Sequence, residues 1–402
     1  MPPRSVATPH RLRLVVLLSG TATMALQMCA VRLLAPWVGA SSVVWATIIG
    51  LSLLAMSLGY VLGGRLADRR ADGATLARTI AAAALLVAMI PLVAPILLPH
   101  ASLGVAASGW SDLLGSAVAY TVLFLAPALL LGVTPPYAIR LAIPHIDDAG
   151  ITAGRLYALS TIGSIIGTLL TALVLVQWIG TRATLLLIAA VLIAAAVAAW
   201  SLRPVHGAAQ EEEPSASPPA SAPHTITTAA VVPLSLAGVI VLVEGMAMMA
   251  TEMSIARLIA PFFGASHAVW AIIIATVMGS IALGSRLGGR AADRWPTLNA
   301  LVMLLAAAGA AVALLPFVAA PVMRISTGGI DDVAIGTVVG TFLATMVLLV
   351  IPVTLLGMVP PWLLRLAIPD VSRAGRTAGR MYALSTAGAL IGTFASVLVL
   401  IP

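Results

Sequence analysis

The sequence predicts an all-α polytopic membrane protein of about eleven transmembrane helices, built from two copies of one multi-helix unit in parallel orientation. Three observations carry this. Hydrophobic residues make up 61% of the chain and charged residues 9%, against roughly 45–50% and about 25% in soluble domains. Apolar runs of about 20 residues recur from end to end, each long enough to cross a ~30 Å hydrocarbon core as a helix. Residue n also matches residue n+225 without a gap over most of the chain.

Taken in order, the predicted spans are 14–35, 42–63, 74–98, 110–133, 153–178, 183–201, 231–258, 266–287, 297–322, 333–358 and 377–400. Arg4, Arg11 and Arg13 precede the first run, which continues to Pro36 with another helix directly behind it. That pattern reads as a retained span, because a cleaved signal would have a short core and a small-residue cleavage site. Arg-rich connections alternate with poor ones. Arg65, Arg69, Arg70 and Arg78 follow the second span, Arg140 and Arg155 flank the fourth connection, and Arg286, Arg290 and Arg294 follow the eighth. Arg365, Arg373, Arg376 and Arg380 join the last two spans, while the opposite side has little beyond Arg182 and Arg324. The positive-inside rule then predicts a bacterial-type inner-membrane protein with a cytoplasmic N-terminus and an extracytoplasmic C-terminus.

The domains expected are an N-terminal copy at 1–201, a linker at 202–230 and a C-terminal copy at 231–402. The linker changes to Pro, Ser, Ala and Glu, with Glu211, Glu212 and Glu213 together, and such a stretch has nothing to bury. It is expected to be disordered and cytoplasmic. The formal charge of +7 comes with 21 basic residues that are all Arg, mostly in short connections. That distribution serves topology and argues against a nucleic-acid partner. Cys29 stands alone in an apolar run, so neither a disulfide framework nor a thiolate metal site is available. His100, His145 and His267 lack metal-ligand spacing, so neither a metal nor a cofactor is expected.

The repeat preserves Pro, Arg, Trp and Gly in register. Arg32-Leu-Leu-Ala-Pro-Trp-Val-Gly-Ala-Ser-Ser-Val-Val-Trp45 aligns with Arg257-Leu-Ile-Ala-Pro-Phe-Phe-Gly-Ala-Ser-His-Ala-Val-Trp270. Arg140-Leu-Ala-Ile-Pro144 recurs unchanged at Arg365 to Pro369, and Gly154 to Thr168 recurs at Gly379 to Thr393 with four changes. Six predicted spans precede the second copy. An even number leaves both copies pointing the same way, so an axis along the membrane normal should relate them.

Gly64-Arg-Leu-Ala-Asp-Arg-Arg70 and Gly289-Arg-Ala-Ala-Asp-Arg294 lie between the second and third spans of each copy. Both resemble the Gly-x-x-x-Asp-Arg loop of the major facilitator superfamily, which implies a major-facilitator-like bundle. A wider set is similar to the membrane part of fused major-facilitator/spermidine synthase proteins. It comprises Arg-Leu-x-Ala-Pro-x-x-Gly-x-Ser-x-x-x-Trp, Gly-Gly-Arg-x-Ala-Asp-Arg, Pro-Pro and Ala-Gly-Arg-x-Tyr-Ala-Leu-Ser-Thr-x-Gly-x-x-x-Gly-Thr. The match covers most of 15–178 and 240–402. It implies polyamines as the substrate class. The chain departs from the fused pattern by ending after the eleventh span, where those proteins carry an aminopropyltransferase domain. No such activity is expected from this chain.

Glu244 and Glu252 are the only carboxylates deep in an apolar run. A charge at the bilayer centre costs about 2.5–3.5 kcal/mol on insertion scales, so such groups face a cavity or a partner. At about 100° per residue Glu244, Met248, Thr251 and Glu252 share one arc of the seventh span. The matching face of the first span carries Ser19, Thr23, Leu26 and Gln27. One reading is a site for a small cationic substrate or a proton, formed where the two stripes face a central cleft. The other is structural, with Glu244 in a helix contact and Glu252 paired to an Arg. The family's first-helix positions resemble acidic ones in both copies, and Gln27 departs from that. Arg32 and Arg257 end the first and seventh spans, either to neutralise Glu252 or an anionic group, or to snorkel among lipid headgroups. The Ala-Pro-x-x-Gly-Ala-Ser that follows predicts a tight turn with a Ser N-cap. Trp45 and Trp270 beyond it predict an interfacial belt.

A cytoplasmic latch is the third candidate. Asp68, among Arg65 and Arg69, and Asp293, among Arg290 and Arg294, can accept charge-assisted hydrogen bonds from the other copy or from Arg155 and Arg380. The bland alternative is a solvated basic loop. Gly163–Gly167 and Gly388–Gly392 predict close helix packing without chemistry. Two functions follow from the whole. The first is a secondary transporter, proton-coupled, for a small organic cation such as a polyamine. The second is a non-transporting subunit, anchoring a separately encoded synthase-like partner in the lipid.

Overall fold

The computed structural model describes residues 10–39, 41–70, 72–103, 111–142, 149–202, 232–327, 333–367 and 374–400. The expected linker lies, from residue 203 onward, outside the described residues. Among those described, every regular element is helical. The first is α1 (His10–Val38), followed by α2 (Ser42–Arg69), α3 (Gly73–Leu103) and α4 (Ser111–Tyr120). A π-helical turn at Thr121–Leu125 leads into α5 (Ala126–Gly132) and α6 (Thr134–Ala142). Next come α7 (Ala149–Leu170), a second π-helical turn at Thr171–Leu175, α8 (Val176–Trp178) and α9 (Gly180–Trp200). Beyond the linker stand α10 (Leu234–Phe263), α11 (His267–Arg294) and α12 (Leu298–Thr327). The chain closes with α13 (Val333–Gly357), α14 (Val359–Ala367), α15 (Ala374–Ala395) and a π-helical turn at Ser396–Leu400. Among the described residues eleven helical stretches are long and apolar enough to cross a membrane, which makes the chain a multi-pass membrane protein.

The helices run further than the apolar runs that predict them. α1 passes through Pro36 and α10 through Pro261, each stopping only where Gly39 and Gly264 take φ of +78° and +76°. The tight turn is thus shorter than the sequence suggests, and Arg32 and Arg257 sit more than a turn inside their helices. The N-caps are where the pattern puts them. Ser41 Oγ accepts the Val44 N–H and Ser266 Oγ the Val269 N–H, both at 3.4 Å. At the other end, Gly64–Arg69 and Gly289–Arg294 are not loops but the last turns of α2 and α11. The helix closes through Arg70 N–H to Leu66 O and Trp295 N–H to Ala291 O, both at 2.9 Å. Ala, Leu and Arg favour helix there, and nothing breaks it before residue 71 or Pro296.

Glycine sets the closest helix contacts. Gly163 and Gly167 on α7 lie against the backbone of Leu17 and Thr21 on α1, and Gly20 lies against Ser160. The same contacts recur 225 residues on, with Gly388 and Gly392 on Leu242 and Met246, and Gly245 on Ser385. Gly59 meets Leu129 and Gly132, as Gly284 meets Thr354 and Gly357. A side chain at these positions would collide with backbone. Between the copies, α2 packs against α15, with Gly50 on the Phe394 ring, and α11 packs against α7.

Trp45 and Trp270 overturn the interfacial-belt expectation. They are 1% and 4% exposed, and their rings stack on each other at 4.4 Å between centroids and 13° between planes. Each sits one turn into α2 or α11, where the first turns of those two helices meet, so the indoles find each other instead of lipid headgroups. Trp45→Ala and Trp270→Ala should each lower the unfolding temperature in detergent. The double mutant should lose less than the sum, with a coupling of about 1 kcal/mol. Strict additivity in that cycle would show that the stack contributes nothing beyond burial.

Candidate functional site

The site is built on α1 and α10 where each meets its glycine-bearing partner. Glu244 and Glu252 are both buried, at 4% exposure. Gly245 brings the α15 backbone close enough that Ser385 Oγ donates to Glu244 Oε2 at 3.4 Å. Glu252, two turns further along α10, makes no hydrogen bond or ion pair with a described residue. Neither glutamate is paired with an arginine among the described residues. Arg32 and Arg257 are exposed, and neither pairs with Glu252 among the described residues.

On the first copy the same face holds hydroxyls. Ser19 and Thr23 line a cavity of about 110 Å³, together with Ser160, Thr161 and Ser164 of α7, Tyr60 of α2 and Thr134 of α6. Met278 of α11 reaches in from the second copy. Neither glutamate lines this cavity, and Gln27 is half-buried outside it. Thr23 Oγ1 returns to Ser19 O at 2.7 Å, the usual way a helix satisfies a hydroxyl in lipid. Ser19 Oγ and Thr134 Oγ1 differ, being buried with no hydrogen-bond partner among the described residues. The sequence reading missed Thr134, Ser160, Thr161, Ser164 and Tyr60. Thr134 stands where α5 breaks into α6, because Pro135 and Pro136 offer no N–H to the carbonyls of Leu131 and Gly132. Prolines are tolerated in a first helical turn, so α6 starts afresh there and turns Thr134 inward. The Pro-Pro pair was the available signal.

At the basic end, the side chains of Asp68, Asp293, Arg155 and Arg380 lie outside the described residues, so half of the expected latch is not described. Arg65, Arg69, Arg290 and Arg294 are exposed, with the Arg294 guanidinium 5.3 Å from the Trp295 ring centre. A residue not singled out from sequence organises this end. The buried Tyr137 hydroxyl shares its one proton between Arg70 O and Asp72 O and accepts the Asp72 N–H, fastening the short link between α2 and α3. Asp72 then caps α3 through Thr75 N–H at 2.6 Å and Thr75 Oγ1 at 2.9 Å. The Thr75 N–H holds the Asp72 carboxyl below its ordinary range.

No family model matches the chain, and no curated protein matches it.

The glycines of the basic end divide by function. A Cβ on Gly63 would fall 2.6 Å from Val133 O, and one on Gly288 2.6 Å from the Met358 backbone, whereas Gly64 and Gly289 have open space. Gly63→Ala and Gly288→Ala should therefore reduce the yield of folded protein in membranes. Gly64→Ala and Gly289→Ala should stay within about 0.5 kcal/mol of the parent in thermal unfolding.

Proposed function

We propose that the chain is a secondary transporter of the inner membrane, proton-coupled, that moves a small organic cation. Its frame is a major-facilitator-like bundle, with the two copies parallel and the N-terminus cytoplasmic. The stack of Trp45 on Trp270 supports a two-fold relation between the copies, because a residue can touch its own repeat mate only where the axis passes between them. The even number of spans before the second copy supports the parallel orientation. The reciprocal packing of α2 on α15 and α11 on α7 supports the same two-fold relation.

The observation that carries the transport reading is Glu244 and Glu252, buried in a membrane-spanning helix without a cationic partner among the described residues. Carboxylates kept only for structure are expected to be paired, because desolvating them is costly. Left with one serine hydroxyl between them, they suit a mobile cation or a proton. Polyamines are the class that the family resemblance implies.

Uptake of labelled amines by the purified chain in proteoliposomes tests this. Glu244→Gln and Glu252→Gln should each lower uptake roughly thirtyfold, the equivalent of about 2 kcal/mol, with helix content and yield unchanged. Unchanged uptake in the double mutant would sink the transport reading. It would favour the membrane-subunit alternative, for which co-purification of a synthase-like enzyme is the direct check. Within the same reading, Asp68→Asn should loosen the cytoplasmic latch without preventing folding. Single cysteines placed at that end should then react faster with a water-soluble maleimide.

A further inference from the structure

The meeting of the two copies at Trp45 and Trp270 is not symmetric. Trp45 lies against Trp270 at 4.4 Å and also beside the His267 ring, 6.0 Å away and tilted by 37°. The position matching His267 in the first copy is Ser42, so the imidazole belongs to one copy only. His267 is half-buried, yet its Nε2 is sealed from solvent and has no hydrogen-bond partner among the described residues. Buried polar atoms are normally satisfied, and an orphan ring nitrogen weakens the joined arrangement relative to one that admits water. The surrounding charge pushes the same way. Among the described residues Arg32, on α1 of the other copy, is the charged group that acts on the imidazole, and no carboxylate does. The two indoles beside it carry no charge.

We propose that His267 is a proton-operated catch between the copies: neutral, it leaves Trp45 and Trp270 stacked, and protonated, it parts them. Repeat mates in contact fill the space on the axis, so the stack shuts any route between the copies at this end. An imidazolium is a donor at both nitrogens. A proton on His267 therefore adds a second positive charge near Arg32 and a donor at Nε2 that no described residue accepts. Water answers both, and parting the indoles lets it in. The opposing effect is a cation–π pair, in which the imidazolium lies on the Trp45 face and tightens the stack, so the sign of the response decides. The proposal goes beyond the transport reading and takes from it only that the copies move against each other. With the basic end in the cytoplasm, the catch meets protons from the outer side.

Spin labels on Trp37→Cys and Phe262→Cys read the separation, because these repeat mates are 40% and 51% exposed near the same ends of α1 and α10. Cys29, the one native cysteine, is replaced by alanine. Pulsed electron resonance on the full chain in lipid should show the longer-separation population rising about tenfold as pH falls from about 8 to about 5. His267→Gln, neutral throughout, should keep the short separation at both pH values, and His267→Arg should give the long one at both. A matching pair of labels on Leu62→Cys and Leu287→Cys, exposed toward the basic ends of α2 and α11, should not lengthen. No response in the parent, a shorter separation in acid, or a response that survives His267→Gln overturns the proposal. Lengthening at both ends together overturns it too, since acid then loosens the whole bundle. Should the arginine variant fail to fold, the glutamine variant still decides. The readout needs no substrate, so the catch and the transport reading stand or fall separately.

Discussion

Everything at the centre of this molecule depends on two helix pairs approaching to backbone contact. Lipid tails are as apolar as leucine, so no hydrophobic drive brings spanning helices together, and packing has to supply it. Here Gly163 and Gly167 let α7 close on α1, and Gly388 and Gly392 let α15 close on α10. Gly20 and Gly245 answer from the other side. With those glycines filled, Ser160 would stand away from Ser19, and Ser385 away from Glu244. The chemistry of the two faces is therefore a by-product of a packing rule that has no chemistry in it.

Closeness within each copy contrasts with what joins them. α2 meets α15 and α11 meets α7, and at one end the indoles of Trp45 and Trp270 lie face to face. At the basic end the copies diverge in detail. Tyr137 ties down the link between α2 and α3, whereas its counterpart Trp362 buries an indole N–H with no partner among the described residues. The glycine contacts thus recur 225 residues on while the polar groups beside them differ.

Much of the fold was legible because spanning a bilayer imposes length and apolarity, which composition reports directly. The eleven spans, the Ser41 and Ser266 caps and the glycine contacts all follow from local pattern. Helix ends were less legible, since α2 and α11 continue past their apolar runs on residues that favour helix without being hydrophobic. The two tryptophans misled for a physical reason: an indole near a span end suits headgroups equally well, and only the tertiary meeting of α2 with α11 buries it. The hydroxyl cavity was harder still. Thr23 and Ser19 lie on one helix face, yet one bonds its own backbone and the other does not, a difference that no spacing reveals. Thr134 reaches the same cavity only because a proline pair breaks the helix before it.

The stacked indoles also have an optical consequence. Two such rings held 4.4 Å apart and nearly parallel share their electronic excitation, which a lone buried tryptophan cannot do. The pair should give the circular dichroism at the strong far-ultraviolet indole band a signed couplet that vanishes once the rings part. Because one indole belongs to each copy, the protein carries its own unlabelled gauge of how far the copies have separated at that end.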